Sequence, residues 1–385
     1  MYDLNLLKQA EDQELILNDS PESFLKKYAR GRCALFTGNK GVEANGALKE
    51  FFAAVPKAAH FSGIEAEPET GTVERMAEFL NEGNFDTVFA LGGGSVLDAA
   101  KAAYLVSQSK LSLHELFGVN MYSARFPGKT LKRIIALPTT SGTGSEATQY
   151  ANIVDKSTGV KKLIAEKQCV PLACCIVPRY AATMPESVTL ATGCDALAHL
   201  IEGFLNVGAD GNKSEANSWA ITGIRLVKEY LPRAIENDPE ARKMMAFAAA
   251  LGGMTIRFKS TGLPHLCSFS WFGRIPHGIA AIMLLPESWR YYLGNPAVAA
   301  RTMELKNIFP GETPEEIIDS VRAFLTQLKV PEKLSAFPDL SKDLMERTAL
   351  SAGENKMKLE LAPRRVPLEQ SRLILQDILL KSYGE

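Results

Sequence analysis

The sequence predicts an α/β region over residues 1–182, followed by an all-helical region over residues 183–385. Before residue 182, short apolar runs rich in β-branched residues alternate with segments of helical periodicity. That alternation is typical of a parallel sheet with helices on both faces. After Met184-Pro185-Glu186 the strand-like runs fade and helical periodicity dominates. A chain of 385 residues is long enough for this two-part organisation.

The elements of the two regions follow from apolar periodicity and from breaks at proline and glycine. In the first region the pattern predicts strands at 33–37, 85–91 and 133–137, and helices at 47–55, 73–81 and 96–107. In the second region Asp238-Pro, Asn295-Pro and Phe309-Pro-Gly separate the helices, which are predicted at 215–230, 239–251, 314–329 and 369–381.

The composition excludes several classes of partner. The formal net charge is −1 and no basic run or basic and aromatic patch occurs, so nucleic acid is not an expected partner. No apolar segment reaches the roughly 18–20 residues that span a bilayer, and the N-terminus is too acidic for a signal peptide. The six cysteines show neither metal-type nor paired disulfide spacing, which suits a reducing cytoplasm.

Three of the chain's five histidines combine with one aspartate in a pattern typical of a divalent metal site. Asp195 and His199 are four residues apart and therefore share a helix face, while His265 and His277 lie in a second segment. Neutral imidazole is a common ligand because it offers a lone pair at neutral pH. One carboxylate with three imidazoles suits Fe²⁺ or Zn²⁺ better than Mg²⁺ or Ca²⁺, which prefer oxygen ligands.

A glycine-rich turn joins the predicted strand at 85–91 to the helix after it. Gly92, Gly93 and Gly94, followed by Ser95, let the backbone turn tightly. The N–H groups and the positive dipole end of the helix then face one point, which favours a phosphate group. The turn matches neither G-x-G-x-x-G nor a P-loop, so a tight turn without a ligand is the alternative.

A hydroxyl-rich loop follows the predicted strand at 133–137. Six hydroxyl side chains within 139–148 can bond ribose, phosphate or carboxamide groups. A flexible surface loop is the alternative. Because the loop directly follows a buried strand, we expect it to form a ligand-binding edge.

Four motifs now identify a resemblance. Gly-Gly-Gly-Ser-x-x-Asp-x-x-Lys, Pro-Thr-Thr-Ser-Gly-Thr-Gly-Ser-Glu, Gly-x-Asp-Ala-Leu-x-His-x-x-Glu and Pro-His-Gly occur here in order. From about residue 30 to the C-terminus, the chain resembles the iron-dependent, group III alcohol dehydrogenases. This resemblance implies a Rossmann-like dinucleotide-binding domain at 1–182 and a helical metal-binding domain at 183–385. It also implies that metal and nicotinamide meet in the cleft between them, and that the protein is a homo-oligomer.

The activity implied by the resemblance is interconversion of a small alcohol and its aldehyde or ketone with NAD(P)(H). Hydride transfer needs a nicotinamide because no side chain carries a hydride, and a metal stabilises charge on the substrate oxygen. The resemblance assigns Asp195, His199, His265 and His277 as catalytic metal ligands, with iron favoured and zinc left open. It places the cofactor on Gly38, Asn39, Lys40, Gly92, Gly93, Gly94, Ser95, Asp98, Thr139, Thr140, Thr143, Ser145, Thr148 and Lys162.

The chain departs from the family's pattern at one catalytic position. Family members usually carry a second histidine four residues after the third ligand, where this chain has Phe269. That histidine is thought to assist proton transfer. Cys267, Ser268 and solvent acting through the ribose hydroxyls are the alternatives here, since water can protonate a released alkoxide.

Cofactor preference follows from a second departure. Family members that prefer NAD often carry an aspartate after the first strand, where it repels a 2′-phosphate. Here Gly38 takes that place and Lys40 lies nearby, so we expect NADP(H) to be used at least as well as NAD(H). A solvated Lys40 without a ligand is the alternative.

The substrate is the least constrained feature. Arg257 and Lys259 precede the His265 segment and would suit an anionic aldehyde, although a solvated helix face is the alternative. Two other functions stay open. One is a dehydroquinate-synthase-like enzyme or polyol dehydrogenase of the same architecture, and the other is a non-catalytic nicotinamide-binding protein.

Overall fold

The computed structural model describes residues 2–10, 12–39 and 41–384. The strands are β1 (Glu14–Leu17), β2 (Cys33–Gly38), β3 (Ala59–Ile64), β4 (Thr87–Gly92), β5 (Gly118–Val119), β6 (Ile135–Pro138), β7 (Tyr150–Asp155), β8 (Val160–Ala165) and β9 (Ala173–Ile176). The first helices are α1 (Glu22–Tyr28), α2 (Gly41–Ala44), α3 (Ala47–Ala54), α4 (Thr70–Gly83), α5 (Gly94–Ser109), α6 (Leu113–Leu116) and α7 (Met121–Arg125). The later ones are α8 (Glu186–Leu205), α9 (Ala216–Ile235), α10 (Pro239–Lys259), α11 (Leu263–Ser268), α12 (His277–Tyr292), α13 (Pro296–Met303), α14 (Pro314–Gln327), α15 (Lys342–Ala352), α16 (Lys356–Glu360) and α17 (Ser371–Tyr383).

A six-stranded parallel sheet organises the N-terminal region, in the order β1-β9-β6-β4-β2-β3. Its central strands are buried on both faces, as the continuous apolar runs require. Leu35, Phe89 and Leu137 from three neighbouring strands pack with Phe51 of α3 in one apolar cluster. The predicted combination of an α/β N-terminal region and an all-helical C-terminal region is confirmed.

The strand order reverses between β2 and β4. From β2 the chain adds β3 on one side and β4 on the other. In open parallel sheets, ligands bind outside the carboxyl ends of the strands at such a switch point. Gly38 ends β2 and Gly92 ends β4, so both predicted turns lie at this edge.

A smaller sheet, in the order β5-β8-β7, was not predicted. β7 and β8 pair antiparallel, from Tyr150 opposite Ala165 to Asp155 opposite Val160. Most of β8 is only half-buried, and Lys161 and Lys162 interrupt its apolar pattern. The alternation of apolar and polar residues that identifies a half-buried strand is therefore weak in β8.

Contact density divides the chain into two compact units. The first comprises Met1–Thr189 with Asn237–Gly253, and the second comprises Leu190–Glu236 with Met254–Glu385. The predicted boundary between residues 182 and 183 lies near the first break, and it did not separate Asn237–Gly253 from the helical region. Among the described helices, α8 alone is long and apolar enough to cross a membrane, and 83% of its most apolar window is buried.

Candidate functional site

α8 presents Asp195 and His199 on one face, one helical turn apart. Both residues are nearly buried, at 3% and 6% exposure. Oδ1 of Asp195 lies 3.8 Å from Nε2 of His199. A carboxylate is unfavourable in an apolar helix environment unless it is paired or binds a cation. This face of α8 therefore marks a polar site inside the second unit.

Two further imidazoles converge on the same carboxylate oxygen. His265 lies in α11 and its Nε2 is 3.4 Å from Oδ1 of Asp195. His277 opens α12 and its Nε2 is 3.9 Å from that oxygen. Ligand atoms of Asp195, His199 and His265 all lie within 4.8 Å of one another. The structure thus brings together the four residues that the sequence proposed as one metal site.

Gly278 explains why the third histidine sits in a Pro-His-Gly motif. A Cβ atom at this position would lie 2.0 Å from the carbonyl oxygen of Ala191 and 2.7 Å from Cβ of Asp195. α12 therefore approaches α8 closely at its first turn, and only glycine permits the contact. That approach carries His277 to Asp195.

Glu202 fixes the orientation of His265. The Nδ1–H of His265 donates to Oε1 of Glu202, and the Gly262 N–H donates to Oε2 at 2.6 Å. A carboxylate only accepts, so Nδ1 carries a proton, and in the neutral imidazole the lone pair is on Nε2, the nitrogen that faces Asp195. Metal-bound imidazoles are commonly held by such a second hydrogen bond. Glu202 ends the Asp-x-x-x-His-x-x-Glu motif, yet it was absent from the predicted site residues.

His277 is held from its other side. Ser268 Oγ donates to the His265 carbonyl at 2.9 Å and lies 3.3 Å from His277 Nδ1, which donates to it. The ring of Phe269 stacks on His277 at 5.7 Å. Cys267 is 1% exposed, and burial raises the pKa of its thiol to about 12. Of the two side chains proposed as proton donors, Ser268 contacts His277, one of the proposed ligands.

The charges of the cluster fit a bound cation. Burial lowers the pKa of His265, but the carboxylates of Glu202 and Asp195 outweigh it and raise that pKa to about 9. Burial raises the pKa of Asp195, but His199, His265 and His277 hold it well below its usual range. Positive charge is therefore favoured at this point. Nitrogen and oxygen donors in this ratio suit Fe²⁺ or Zn²⁺.

In the first unit, the glycine turn and the hydroxyl loop contact each other. A Cβ atom on Gly93 would lie 3.1 Å from Cγ2 of Thr140, and one on Gly94 would lie 2.6 Å from Oγ1 of Thr143. Within the part of the chain that the structure describes, no side chain caps the N-terminus of α5. Two motifs separated in sequence therefore meet at the N-terminus of α5, where uncapped backbone N–H groups could bind an anion.

The front of the hydroxyl loop keeps polar groups available. Thr139 and Thr140 are half-buried, and the Thr139 N–H donates to the carbonyl of Gly92 at 3.0 Å. The hydroxyl of Ser141 is buried and has no hydrogen-bond partner among the described residues. A buried hydroxyl without a partner is unfavourable, so a ligand group that bonds it would be stabilised.

The back of the loop is locked by a buried lysine. Lys101 Nζ donates to the carbonyl of Ser145 at 2.6 Å and to its Oγ at 2.7 Å, and it reaches Thr148 Oγ1 at 3.4 Å. Ser145 Oγ donates to Asp98 at 2.6 Å, and Asp98 also accepts the Asn152 N–H at 2.9 Å. The polar atoms of Asp98, Ser145 and Thr148 thus bond within the protein. Their predicted role in cofactor binding stays a prediction, and the observed role is support of the loop.

The remaining predicted cofactor residues are dispersed. Gly38 packs near Val96 of α5, and Asn39 after it is exposed. Ser95 Oγ accepts the Glu67 N–H at 3.2 Å. Lys162 lies on β8, with Nζ 2.6 Å from Asp155 Oδ2. Lys40 lies outside the described residues.

Both interpretations of Lys259, as a substrate-binding cation and as a solvated residue on a helix face, are wrong. Its side chain is fully buried, pairs with Asp210 and donates to Asn217 at 2.8 Å. Arg301 also pairs with Asp210, at 2.7 Å. The Lys259 amine is therefore held by Asp210 and Asn217 within the protein. Arg257 is half-exposed, and its role stays a prediction.

The first unit has a parallel sheet with a glycine turn at its switch point, as is typical of nucleotide-binding folds. The second unit gathers one aspartate and three histidines, a donor set that suits a transition metal. These two features together define the class of protein. The family model for iron-containing alcohol dehydrogenase matches residues 18–178. The model for the C-terminal part of the Fe-containing alcohol dehydrogenase family matches residues 189–379. The chain belongs to the iron-containing alcohol dehydrogenase family.

Curated relatives agree in family and differ in cofactor. Alcohol dehydrogenase 4 of Schizosaccharomyces pombe is 31% identical over 276 residues, which cover 70% of this chain and 64% of that protein. The NAD-dependent methanol dehydrogenase of Bacillus methanolicus is 32% identical, over 60% of this chain and 59% of its own length. The NADPH-dependent butanol dehydrogenase of Clostridium saccharobutylicum is 28% identical, over 71% of each. The chain thus spans less than two thirds of the length of the Schizosaccharomyces pombe and Bacillus methanolicus proteins.

A solved structure matches the whole fold. The iron-containing alcohol dehydrogenase of Thermococcus thioreducens superposes with a TM-score of 0.85 at 26% identity. The match covers 97% of this chain and 99% of that one. Both units of the chain therefore have counterparts in that protein.

Proposed function

We propose that this chain is an NAD(P)-dependent, metal-containing alcohol dehydrogenase that interconverts a small alcohol and its aldehyde or ketone. The observation that carries the proposal is the convergence of three Nε2 atoms on Oδ1 of Asp195, at 3.4, 3.8 and 3.9 Å. Family membership and the named activities of the relatives support it. The dehydroquinate-synthase-like alternative receives no support from them.

Asp195, His199, His265 and His277 would hold the metal. Bound there, a divalent ion supplies Lewis-acid stabilisation of negative charge on the substrate oxygen. Iron is our proposed ion because of the family, since ligand type suits zinc equally. Glu202 and Ser268 orient two of the imidazoles through Nδ1. His277 has the most exposed side chain of the four, at 26%, so substrate is proposed to approach on its side.

The nicotinamide cofactor is proposed to bind the first unit at the glycine turn. The N-terminus of α5 would bind its phosphates through backbone N–H groups, and the front hydroxyls at 139–141 would bond its sugar or carboxamide groups. Gly38 stands where a carboxylate would repel a 2′-phosphate. We therefore propose that NADP(H) is used at least as well as NAD(H). Relatives of both kinds exist, so specificity constants for the two cofactors must decide, and a strong NAD(H) preference contradicts this proposal.

Solvent is proposed as the proton donor. Phe269 occupies the position of the family's second histidine and presents an apolar ring to His277. The buried Cys267 thiol is inaccessible to a substrate. Ser268 already donates to a backbone carbonyl. If solvent serves, Ser268→Ala and Cys267→Ala leave the pH dependence of turnover unchanged.

We further propose that the protein is a cytoplasmic homo-oligomer without a nucleic-acid or membrane partner. All six cysteines are buried thiols, as suits a reducing compartment. Leu350 of α15, Leu373 of α17, and Leu361 and Leu368 between these helices are large exposed apolar residues, which a second copy would cover. Light scattering after gel filtration tests the assembly, and a monomer contradicts it.

The decisive test combines metal removal with turnover. Chelation should abolish reduction of an aldehyde panel by NADPH and NADH, and Fe²⁺ or Zn²⁺ should restore it. His199→Ala should lose one metal ion per chain, whereas His114→Ala, at an exposed histidine, should retain it. Full activity of His199→Ala after metal removal would exclude the proposed site. Cofactor binding without any turnover across the panel would favour the non-catalytic alternative.

A further inference from the structure

A cavity of about 710 Å³ lies at the amino-terminal edge of the parallel sheet. Its walls are the segments that lead into β2, β4 and β6, the end of α1, and Tyr104 of α5. The strands are parallel, and the glycine turn follows the carboxyl end of β4. The cavity is therefore on the opposite edge of the sheet from the proposed nucleotide site.

The wall beside β4 is held in one conformation. Thr87 Oγ1 donates to the carbonyl of Arg30 at 3.1 Å, and the Arg32 N–H donates to Asp86 Oδ2 at 2.9 Å. Gly31 has φ +56°, and a Cβ atom there would lie 2.0 Å from the same Asp86 oxygen. A preformed wall lowers the ordering cost of binding.

Tyr104 contributes its hydroxyl to the lining of the cavity. The residue is only 8% exposed, and its hydroxyl bonds no group within residues 2–10, 12–39 and 41–384. Burial raises the pKa of this phenol to about 12, so it stays a donor at ordinary pH. Tyr122 of α7 lies close enough to contribute to that rise, and its own buried hydroxyl also lacks a partner in the described chain. A ligand in the cavity can therefore accept the Tyr104 hydroxyl hydrogen.

The rim of the cavity carries excess positive charge. Lys27 pairs with Glu14, and Arg133 pairs with Asp12 at 2.8 Å. Arg30 and Lys132 also line the cavity and are exposed.

No described acidic group forms an ion pair with Arg30 or Lys132. Asp86 is the single acidic residue of the lining, and it already accepts a backbone N–H. The buried residues Val88, Leu131 and Ile135 form an apolar wall, and the exposed Leu172 extends it. The lining therefore combines an apolar interior, a phenol donor and a cationic rim.

We propose that this cavity binds a small amphipathic organic anion of the acyl carboxylate class. Its apolar chain contacts Leu131 and Ile135, its carboxylate faces Arg30 and Lys132, and a carboxylate oxygen accepts the Tyr104 hydroxyl hydrogen. The site is separate from the metal cluster and does not depend on the proposed dehydrogenase activity.

Calorimetric titration of the full chain with decanoate tests the proposal. We expect one saturable site per chain. Tyr104→Phe, and separately the pair Arg30→Gln with Lys132→Gln, should each weaken binding about tenfold. Lys57→Gln, at an exposed lysine outside the cavity, should bind decanoate as the unchanged chain does. Unchanged thermal unfolding of the surface pair shows that the fold is intact.

Four outcomes overturn the proposal. Decanol binding as tightly as decanoate would mean that the cationic rim plays no part. Inorganic phosphate binding equally well would mean that the apolar wall plays no part. Loss of decanoate binding in His199→Ala would place the ligand at the metal cluster, whereas retention there supports a separate site. Absence of saturable binding at millimolar decanoate also contradicts the inference.

Discussion

Glu202 accepts the Nδ1–H of His265 across 63 residues of sequence, and this contact decides which nitrogen of the ring faces Asp195. The Glu202 carboxylate also accepts the N–H of Gly262, the residue just before α11, the helix that contains His265. A buried acid thus sets the tautomer of a proposed ligand without binding the metal itself.

Replacing Glu202 by glutamine should weaken metal binding about 10- to 100-fold, because such supporting contacts orient a ligand and raise its basicity. Competition with a chelator, followed by metal analysis, measures the change. Glu240→Gln, at an exposed acid, serves as the matched control. Equal metal affinity in the two variants would show that the contact does not support the site.

Gly278→Ala should separate α12 from α8. The added Cβ would meet the Ala191 carbonyl at 2.0 Å, so backbone must shift. We expect the free energy of unfolding to fall by about 1–3 kcal/mol and bound metal to be lost. Gly211→Ala is the control, since nothing lies within 4 Å of a Cβ there. Retention of metal by Gly278→Ala would contradict the close approach.

Gly94→Ala should affect the cofactor and spare the metal. A methyl group 2.6 Å from Oγ1 of Thr143 would push the hydroxyl loop away from the N-terminus of α5. Fluorescence titration with NADPH should show affinity reduced on the order of tenfold, with metal content unchanged. Gly71→Ala, whose nearest contact would be 3.7 Å, should bind NADPH normally. Normal binding by Gly94→Ala would contradict the proposed phosphate site.

Glu146 should give stability a specific pH dependence. Burial raises the pKa of this carboxyl from 4.5 to about 7. The folded chain therefore retains a proton that the unfolded chain releases, so stability falls as pH rises from about 4.5 to 7. Glu146→Gln removes that loss, which amounts to at most about 3 kcal/mol.

Denaturant unfolding at pH 5 and pH 8 measures this effect. The advantage of Glu146→Gln over the unchanged chain should be larger at pH 8. Glu240→Gln should show no such trend. An advantage that shrinks with rising pH would mean that Glu146 is ionised in the folded chain.

Local patterns were sufficient for part of the fold and site. Spacing of four residues placed Asp195 and His199 on one helix face, because helix geometry depends only on sequence distance. The helical spacing of apolar residues from Val96 onward predicted α5, and the glycines before Val96 predicted the turn. Such features need no knowledge of distant contacts.

Long-range contacts could not be predicted in this way. β1 is four residues long and pairs with β9, with Glu14 opposite Ala173. Lys259 ends an amphipathic helix, yet Asp210 pairs with it from another segment and buries it. The role of Lys101 likewise depends on loop atoms more than forty positions away. Propensity and periodicity carry no information about partners at such separations.

The hydrogen bonds of Lys101 hold one end of the hydroxyl-rich loop more firmly than the other. Side chains at 145–148 form hydrogen bonds with buried groups, so substitutions there would destabilise the loop. Residues 139–141 form fewer hydrogen bonds within the protein. Substitutions meant to alter how this loop meets a ligand should therefore be made at Thr139 and Thr140, and residues 145–148 should be left unchanged.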